Sequence, residues 1–340
     1  MTEIAIVILN WNTRDLLDKY LPVMIGHSLD AGTEIWVADN ASSDGSIALV
    51  QQKYPSVKTL TLDKNYGFAG GYNRALAQIT AKYYLLVNTD VEVTAEWLRP
   101  LHDLMESQPG VAACMPKIRS LHEREKFEYA GAAGGFIDYL GYPFCRGRIF
   151  DVTEADTGQY DDEMNIFWAT GACMLVRTEV FKQLKGFDEV LFAHMEEIDL
   201  CWRMQRQGYT LKYCPGSVVY HIGGGTLPKK NPWKTFLNFR NNLILLYKNL
   251  PPRRLWTILF IRLVLDGISG IRFLAKGDFG DLGAIFRAHF AFYRLIPQYT
   301  KYRKQQNWKN QPELQGFYRK SIVWQFFVLT KRTFTGLSGW

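Results

Sequence analysis

The sequence predicts an α/β fold: a doubly wound mixed sheet followed by a mostly helical C-terminal region. Three observations carry this expectation. Residues 83–93 read YYLLVNTDVEV, an apolar run that stops at Asn88-Thr89-Asp90. A strand buried on both faces reads this way, and ligands collect beyond the carboxyl ends of such strands. Strand-like and helix-like patterns alternate through the first hundred residues, as βαβ units do. The charge is also divided. Residues 226–340 hold 20 Lys+Arg and 4 Asp+Glu, a net +16, while residues 1–225 hold 20 and 29, a net −9.

In order along the chain, residues 3–9 read as a buried strand and 13–25 as a helix. Residues 33–38 form a second strand closed by Asp39-Asn40, with a helix starting near Asp44. A third strand is expected over 57–62, a helix over 71–81 behind a glycine-rich turn, and a fourth strand over 83–87. Right-handed crossovers then make a parallel, doubly wound sheet. From 111 to 220 the pattern is mixed, with strands over 111–118 and 167–176 and a helix over 195–207 stopped by Gly208. Two short strands are expected around Pro215-Gly216 within 209–221. Helices follow over 231–250, ended by Pro251-Pro252, and over 254–275.

That last helix is long and apolar, but Arg262, Asp266 and Arg272 lie inside it. Each is costly at a bilayer centre, so the helix should lie in a membrane interface or pack on its neighbours rather than span. An acidic body joined to a basic, aromatic tail points to an anionic surface, here that of a membrane. Nucleic acid would answer the charge as well, but no recognition motif supports it. The five cysteines form no Cys-x-x-Cys pair, which argues against a disulfide framework and a zinc site. No secretory signal is recognisable at Met1-Thr2-Glu3, so a cytoplasmic location is expected.

Polar clusters at strand ends are the candidate site. Asn10 and Asn12 follow the first strand and could contact a base or sugar, or cap the next helix. Asp39 stands where dinucleotide folds read a ribose. In the run NYGFAGGYN, Asn65, Gly67, Gly71 and Asn73 precede or open a helix, where glycines let amides approach a phosphate. The run matches neither a dinucleotide nor a P-loop fingerprint. On the helix over 195–207, Glu197 shares a face with Leu200, Cys201 and Met204, so burial would raise its pKa toward a general base. Glu196 faces with Asp199 and Arg203, and the latter two are spaced for an ordinary surface ion pair. His221 ends a strand; alone it is more often structural than a ligand, unless Asp90 lies beside it.

Taken together, LNWN, DNASSDGS, NYGFAGGYN, LLVNTD, GACMLVR, GFDE, EEIDLCWR and VVYHIGGGT, in this order, resemble family 2 glycosyltransferases with the GT-A fold. The similar branch is the bacterial one that includes rhamnosyl- and galactofuranosyltransferases, and the resemblance covers about residues 4–250. It implies inverting transfer from a nucleotide-diphosphate sugar to a hydroxyl of a glycan or lipid-linked acceptor, assisted by Mg²⁺ or Mn²⁺. By the same resemblance Asp39 binds the nucleotide base, and Asp90 ends an Asp-x-Asp motif holding ribose, diphosphate and metal. Asn88 replaces the first acid of that motif. Glu196-Glu197 occupies the place of a Glu-Asp pair whose second acid is the base, which leaves Glu196, Glu197 and Asp199 as candidates. His221 matches a metal-binding histidine. The expected division is a glycosyltransferase domain over 1–225, with its nucleotide half over about 1–110 and its acceptor half over about 111–225, and a helical region over 226–340. The rival readings are a nucleotidyltransferase that makes the sugar nucleotide and a non-catalytic membrane or glycan binder. The first lacks a basic, Gly-rich loop after the first strand, and the second leaves the ordered polar strand ends unexplained.

Overall fold

The computed structural model describes residues 2–28, 32–223, 231–309 and 311–338. The expected boundary at 225/226, with Gly224 and Gly225, lies outside the described residues. Elements are numbered in chain order. Strands β1 (Ile4–Asn10), β2 (Thr33–Asp39), β3 (Lys58–Thr61) and β4 (Tyr83–Val87) form the parallel half of the main sheet, in the order β3-β2-β1-β4. Every residue of β4 is buried, as its unbroken apolar run requires. Helices α1 (Arg14–Ser28), α2 (Ser46–Lys53) and α3 (Gly67–Leu76) make the crossovers.

The other half is mixed. β5 (Val91–Val93) and α4 (Leu98–Ser107) lead into β6 (Val111–Ser120). A small second sheet follows, built from β7 (Gly135–Asp138), β8 (Pro143–Cys145), β9 (Arg148–Ile149) and β10 (Val152–Thr153). After β11 (Met164–Asn165), strand β12 (Cys173–Arg177) enters the main sheet antiparallel to both β4 and β6. α5 (Thr178–Gln183) and α6 (Glu196–Arg206) then precede β13 (Thr210–His221), which runs parallel to β6 and antiparallel to β5.

Four local expectations change. α3 begins at Gly67, four residues early, because side chains cap it: Tyr66 N donates to Asn40 Oδ1 and Gly67 N to Asn65 Oδ1. β12 starts only at Cys173; before it, Phe167 N bonds Gly135 O and the Trp168 indole donates to Phe136 O, so that stretch belongs to the β7 side. Residues 210–221 form one strand, and the register shift between Cys214 and Val218 is the bulge that absorbs Pro215-Gly216. The Asp199–Arg203 pair is buried, not on the surface.

The C-terminal helices α7 (Pro232–Asn249), α8 (Pro252–Ala275) and α9 (Phe279–Lys304) pack against one another, and α7 also packs on α6. α9 was not foreseen. β14 (Phe317–Tyr318) adds to the small sheet beside β7, and α10 (Ile322–Phe327) follows. A buried ion cluster joins this region to α6. Asp199 on α6 accepts from Arg203 Nε, Lys248 Nζ and Asn249 Nδ2, each at 2.8 Å, and Lys248 also reaches Asp188 at 2.7 Å. Burial alone would raise the Asp199 pKa, but the Lys248 and Arg203 charges outweigh it and lower it to about 2. The stability this carboxylate contributes is therefore present above its ordinary unfolded value and lost as pH falls toward 2. Removing one partner of such a cluster strands a buried charge, so Lys248→Met should cost about 3–5 kcal/mol in urea unfolding at pH 7. A loss below about 1 kcal/mol would show that the cluster does not hold α7 to α6.

Candidate active site

β1 and β4 are adjacent, and their crossovers leave in opposite directions, so a crevice opens at their carboxyl ends. Asn10 there is fully committed to the scaffold. Its Nδ2 lies 2.8 Å from Asp39 Oδ1, 3.0 Å from Ser42 Oγ and 2.9 Å from Ser46 Oγ, and its Oδ1 accepts from Thr13 Oγ1. Asp39 takes a second bond from Ser42 N at 2.9 Å, which orients its carboxylate at the end of β2. Asn12, at φ 55°, is exposed and accepts from Ser43 N.

In the glycine-rich run, several of the groups expected to approach a phosphate also have partners within the fold. The amides of Gly67 and Ala69 are already bonded, to Asn65 Oδ1 and Phe192 O. Gly67 has φ +70°, and a Cβ there would strike the Phe192 ring; at Gly71 it would strike Leu9 and Asn40. Both glycines thus allow close packing. Asn73 is also a brace, donating to Phe187 O and accepting from Phe187 N at 2.9 Å each.

Beyond β4 the chain doubles back through Asn88 to Asp90 and enters β5. Pairing of β5 with β13 sets His221 opposite Val91, which brings the ring to Asp90. His221 Nε2 lies 3.0 Å from Asp90 Oδ1 and 3.4 Å from Asn88 Nδ2. On its other side Nδ1 is 3.3 Å from Glu128 Oε2, an ion-pair distance without hydrogen-bond alignment. Glu128 arrives because the chain beyond β6 folds back, with Glu128 N bonded to Ile118 O. Burial opposes the charged imidazole, but the Glu128 and Asp90 carboxylates outweigh it and raise the His221 pKa to about 10. The same contact leaves Asp90 below its ordinary range, against the effect of burial. A carboxylate behind one ring nitrogen and an acid beside the other is the arrangement of a metal-ligating histidine and its orienting partner. Carboxylate oxygen plus one imidazole suits a hard divalent cation, so Asp90 and His221 fit the expected ion.

Glu196 and Glu197 open α6. Phe192, His194 and Met195 just before them all have positive φ, between 65° and 75°. α7 clamps this strained backbone: Asn241 Nδ2 reaches the carbonyls of Leu191, Ala193 and His194, and Arg240 those of Val190 and Leu191. Unlike Asp199, both glutamates keep a buried oxygen, Oε2, without a hydrogen-bond partner among the described residues. Burial raises the Glu197 pKa to about 7. Burial, and then the Glu197 charge, also raise Glu196 well above the ordinary glutamate value. The Cys145 thiol, pushed up by burial and pulled back by Arg148, feels the charges of both Glu128 and Glu197.

Glu128, Asn241 and Lys248 escaped the sequence reading. Only Asn241-Asn242, a polar pair inside the apolar run NFRNNLILL, carried a signal. Glu3, His102 and Glu106 also converge, but at the opposite end of β1 and β4, where Lys82 already binds both acids.

A family model described as glycosyl transferase family 2 matches residues 6–185. Among curated relatives, an N-acetylglucosaminyl-diphospho-decaprenol L-rhamnosyltransferase of Mycobacterium tuberculosis is 28% identical over 241 residues, covering 65% of this chain and 76% of that protein. Rhamnosyltransferase WbbL of Escherichia coli is 25% identical over 167 residues, 46% of this chain and 61% of its own. The solved structure of GalNAc-T7 with UDP, GalNAc and Mn²⁺ superposes with a TM-score of 0.57 at 14% identity, over 73% of this chain and 48% of that one. The chain thus spans about half the length of that neighbour, and the likeness is one of fold, GT-A.

Proposed function

Because the chain belongs to glycosyl transferase family 2, we propose that it moves a sugar, with inversion, from a nucleotide-diphosphate donor to a hydroxyl of a glycan or lipid-linked acceptor in cell-surface polysaccharide synthesis. The rival readings, a nucleotidyltransferase and a non-catalytic binder, yield to the family match. The observation that carries the mechanism is the contrast between Glu197, a half-buried acid whose buried Oε2 is unpartnered among the described residues, and Asp199, held by three donors. Only the former is free to take a proton.

In this reading Asp39 receives the nucleoside, and Asp90 and His221 hold Mg²⁺ or Mn²⁺, with Glu128 orienting the imidazole. A bound ion supplies Lewis-acid neutralisation of the departing diphosphate. Glu197 accepts the proton of the acceptor hydroxyl as its oxygen bonds to the anomeric carbon, and the electron pair of the breaking bond leaves with the nucleoside diphosphate. Attack opposite the leaving group inverts the centre in one displacement and needs no nucleophilic side chain. Residues 1–225 carry the donor and acceptor halves. The basic tail holds the enzyme peripherally on the cytoplasmic face of an anionic membrane.

The direct test is incubation of the purified protein with a panel of nucleotide sugars, following metal-dependent hydrolysis and transfer. Glu197→Gln should lower kcat by about a hundred- to ten-thousand-fold with donor KM little changed. If Glu196→Gln shows that loss instead, Glu196 is the base. A base must be deprotonated, so wild-type kcat/KM should fall as pH drops through about 7, the value to which Glu197 is raised. A flat profile from pH 5 to 8 would contradict its role.

Glu128→Gln should raise the metal concentration for half-maximal activity by about ten- to a hundredfold, the usual cost of removing an orienting partner. His221→Ala should raise it at least as far. Unchanged metal dependence in both, with only a lower melting temperature, would make the group purely structural.

A further inference from the structure

α8 buries charge and exposes apolar side chains, and α9, whose buried face is mostly apolar, adds exposed aromatic rings beside it. The buried face of α8 carries charge: Arg262 and Asp266 are 3% and 1% exposed. Arg262 donates to Leu140 O and Asn242 Oδ1 and stacks 4.0 Å from the centre of the Tyr142 ring, while Asp266 pairs with His289 of α9 at 3.1 Å. The outward faces of both helices are apolar. Trp256, Phe260, Ile268 and Ile271 form one stripe on α8 and Phe286 and Phe290 continue it on α9, each 57–67% exposed. Two of the three charges that argue against a membrane span, Arg262 and Asp266, are thus consumed inside the protein, leaving α8 free to present large apolar side chains to the outside.

A contiguous patch of this kind on a folded protein marks a surface that something covers. The rim identifies the occupant. Arg253 and Arg254 at one end of α8, Arg272 and Lys276 at the other, and Arg287 and Arg294 on α9 are exposed, whereas no Asp or Glu of either helix is. A second copy would bring the same basic rim against itself. An anionic bilayer satisfies both features, taking the apolar stripe at the acyl boundary and the basic rim at its headgroups. Among the described residues no helix is long and apolar enough to cross a membrane.

We infer that the outward face of α8 and α9 seats this protein in the interface of an anionic bilayer. What the seating serves rests on the proposed function. Asp281 of α9 accepts from Thr235 of α7 at 2.7 Å, and Trp233 beside it packs on Phe192, the ring that covers Gly67. The membrane face therefore runs to the border of the active site, where a lipid-linked acceptor would be presented.

Flotation of the full chain with vesicles tests this, using phosphatidylcholine alone and phosphatidylcholine with phosphatidylglycerol. The wild type should co-float with the anionic vesicles and at least about tenfold less with the neutral ones, and high salt should weaken the binding. The triple variant Phe260→Asp, Ile268→Asp, Phe290→Asp should lose flotation by about tenfold or more while hydrolysing nucleotide sugars as the wild type does. Reversing Arg253, Arg254, Arg272 and Lys276 to Glu should lose it by a similar factor without touching the apolar stripe. Absence of wild-type flotation, equal binding to both vesicles, or retained binding by either variant overturns the inference. So does a dimer in solution that the triple variant dissolves, without flotation. A wild type that floats but acts on no nucleotide sugar upholds the membrane face and overturns the proposed reaction instead.

Discussion

An ionised group taken out of water must be paired or give up its charge. That constraint governs the carboxyl edge of this sheet, where Asp39, Asp90, Glu128, Glu196 and Asp199 are all buried and Glu197 nearly so. Each acid meets the constraint in its own way. Asp39 is held by Asn10 and a backbone amide, and Asp90 and Glu128 share the imidazole of His221. Asp199 is held by Lys248, Arg203 and Asn249. Among the described residues Glu196 and Glu197 have no such counterion, and burial raises their pKa values instead. The partners thus separate acids that hold structure and charge from acids left to exchange a proton.

The same pairing makes the C-terminal helices part of the site. Lys248 and Asn249 end on an acid of α6, and Asn241 and Arg240 hold the carbonyls of the strained turn that aims Glu196 and Glu197. Backbone in this conformation persists only where surrounding structure over-determines it. α7 supplies that determination on one face and packs along α9 on the other, so a surface on α8 and α9 is mechanically continuous with the acid pair.

Much of this was legible in the chain. The parallel half followed from apolar runs ending in polar residues, because burial on both faces leaves no alternation to misread. The meeting of Asp90 and His221 was legible through motif resemblance alone; its physical cause, the pairing of Val91 with His221, joins residues 130 positions apart. Glu128 and Lys248 also act on acids or rings far away in sequence and left no local trace. The packing of Gly71 on Leu9 and Asn40 and the bracing of Phe187 by Asn73 were not legible, because small and polar residues at a helix start serve packing and phosphates alike. Asp199 and Arg203 looked like a surface pair because their spacing says nothing about the lysine that covers them. α8 was hardest to read, since the usual rule points the apolar face inward and here the charged face is the buried one.

The central claim is that Glu197 is kept uncompensated while Asp199 is fully paired. Titration of the individual side-chain carboxyls by ¹³C NMR, with Glu197→Gln and Asp199→Asn variants to assign the signals, addresses it most directly. The account predicts a Glu197 carboxyl that titrates near 7 and an Asp199 carboxyl still ionised down to about 2. A Glu197 that titrates near 4.5, the ordinary value for a glutamate in water, would contradict it.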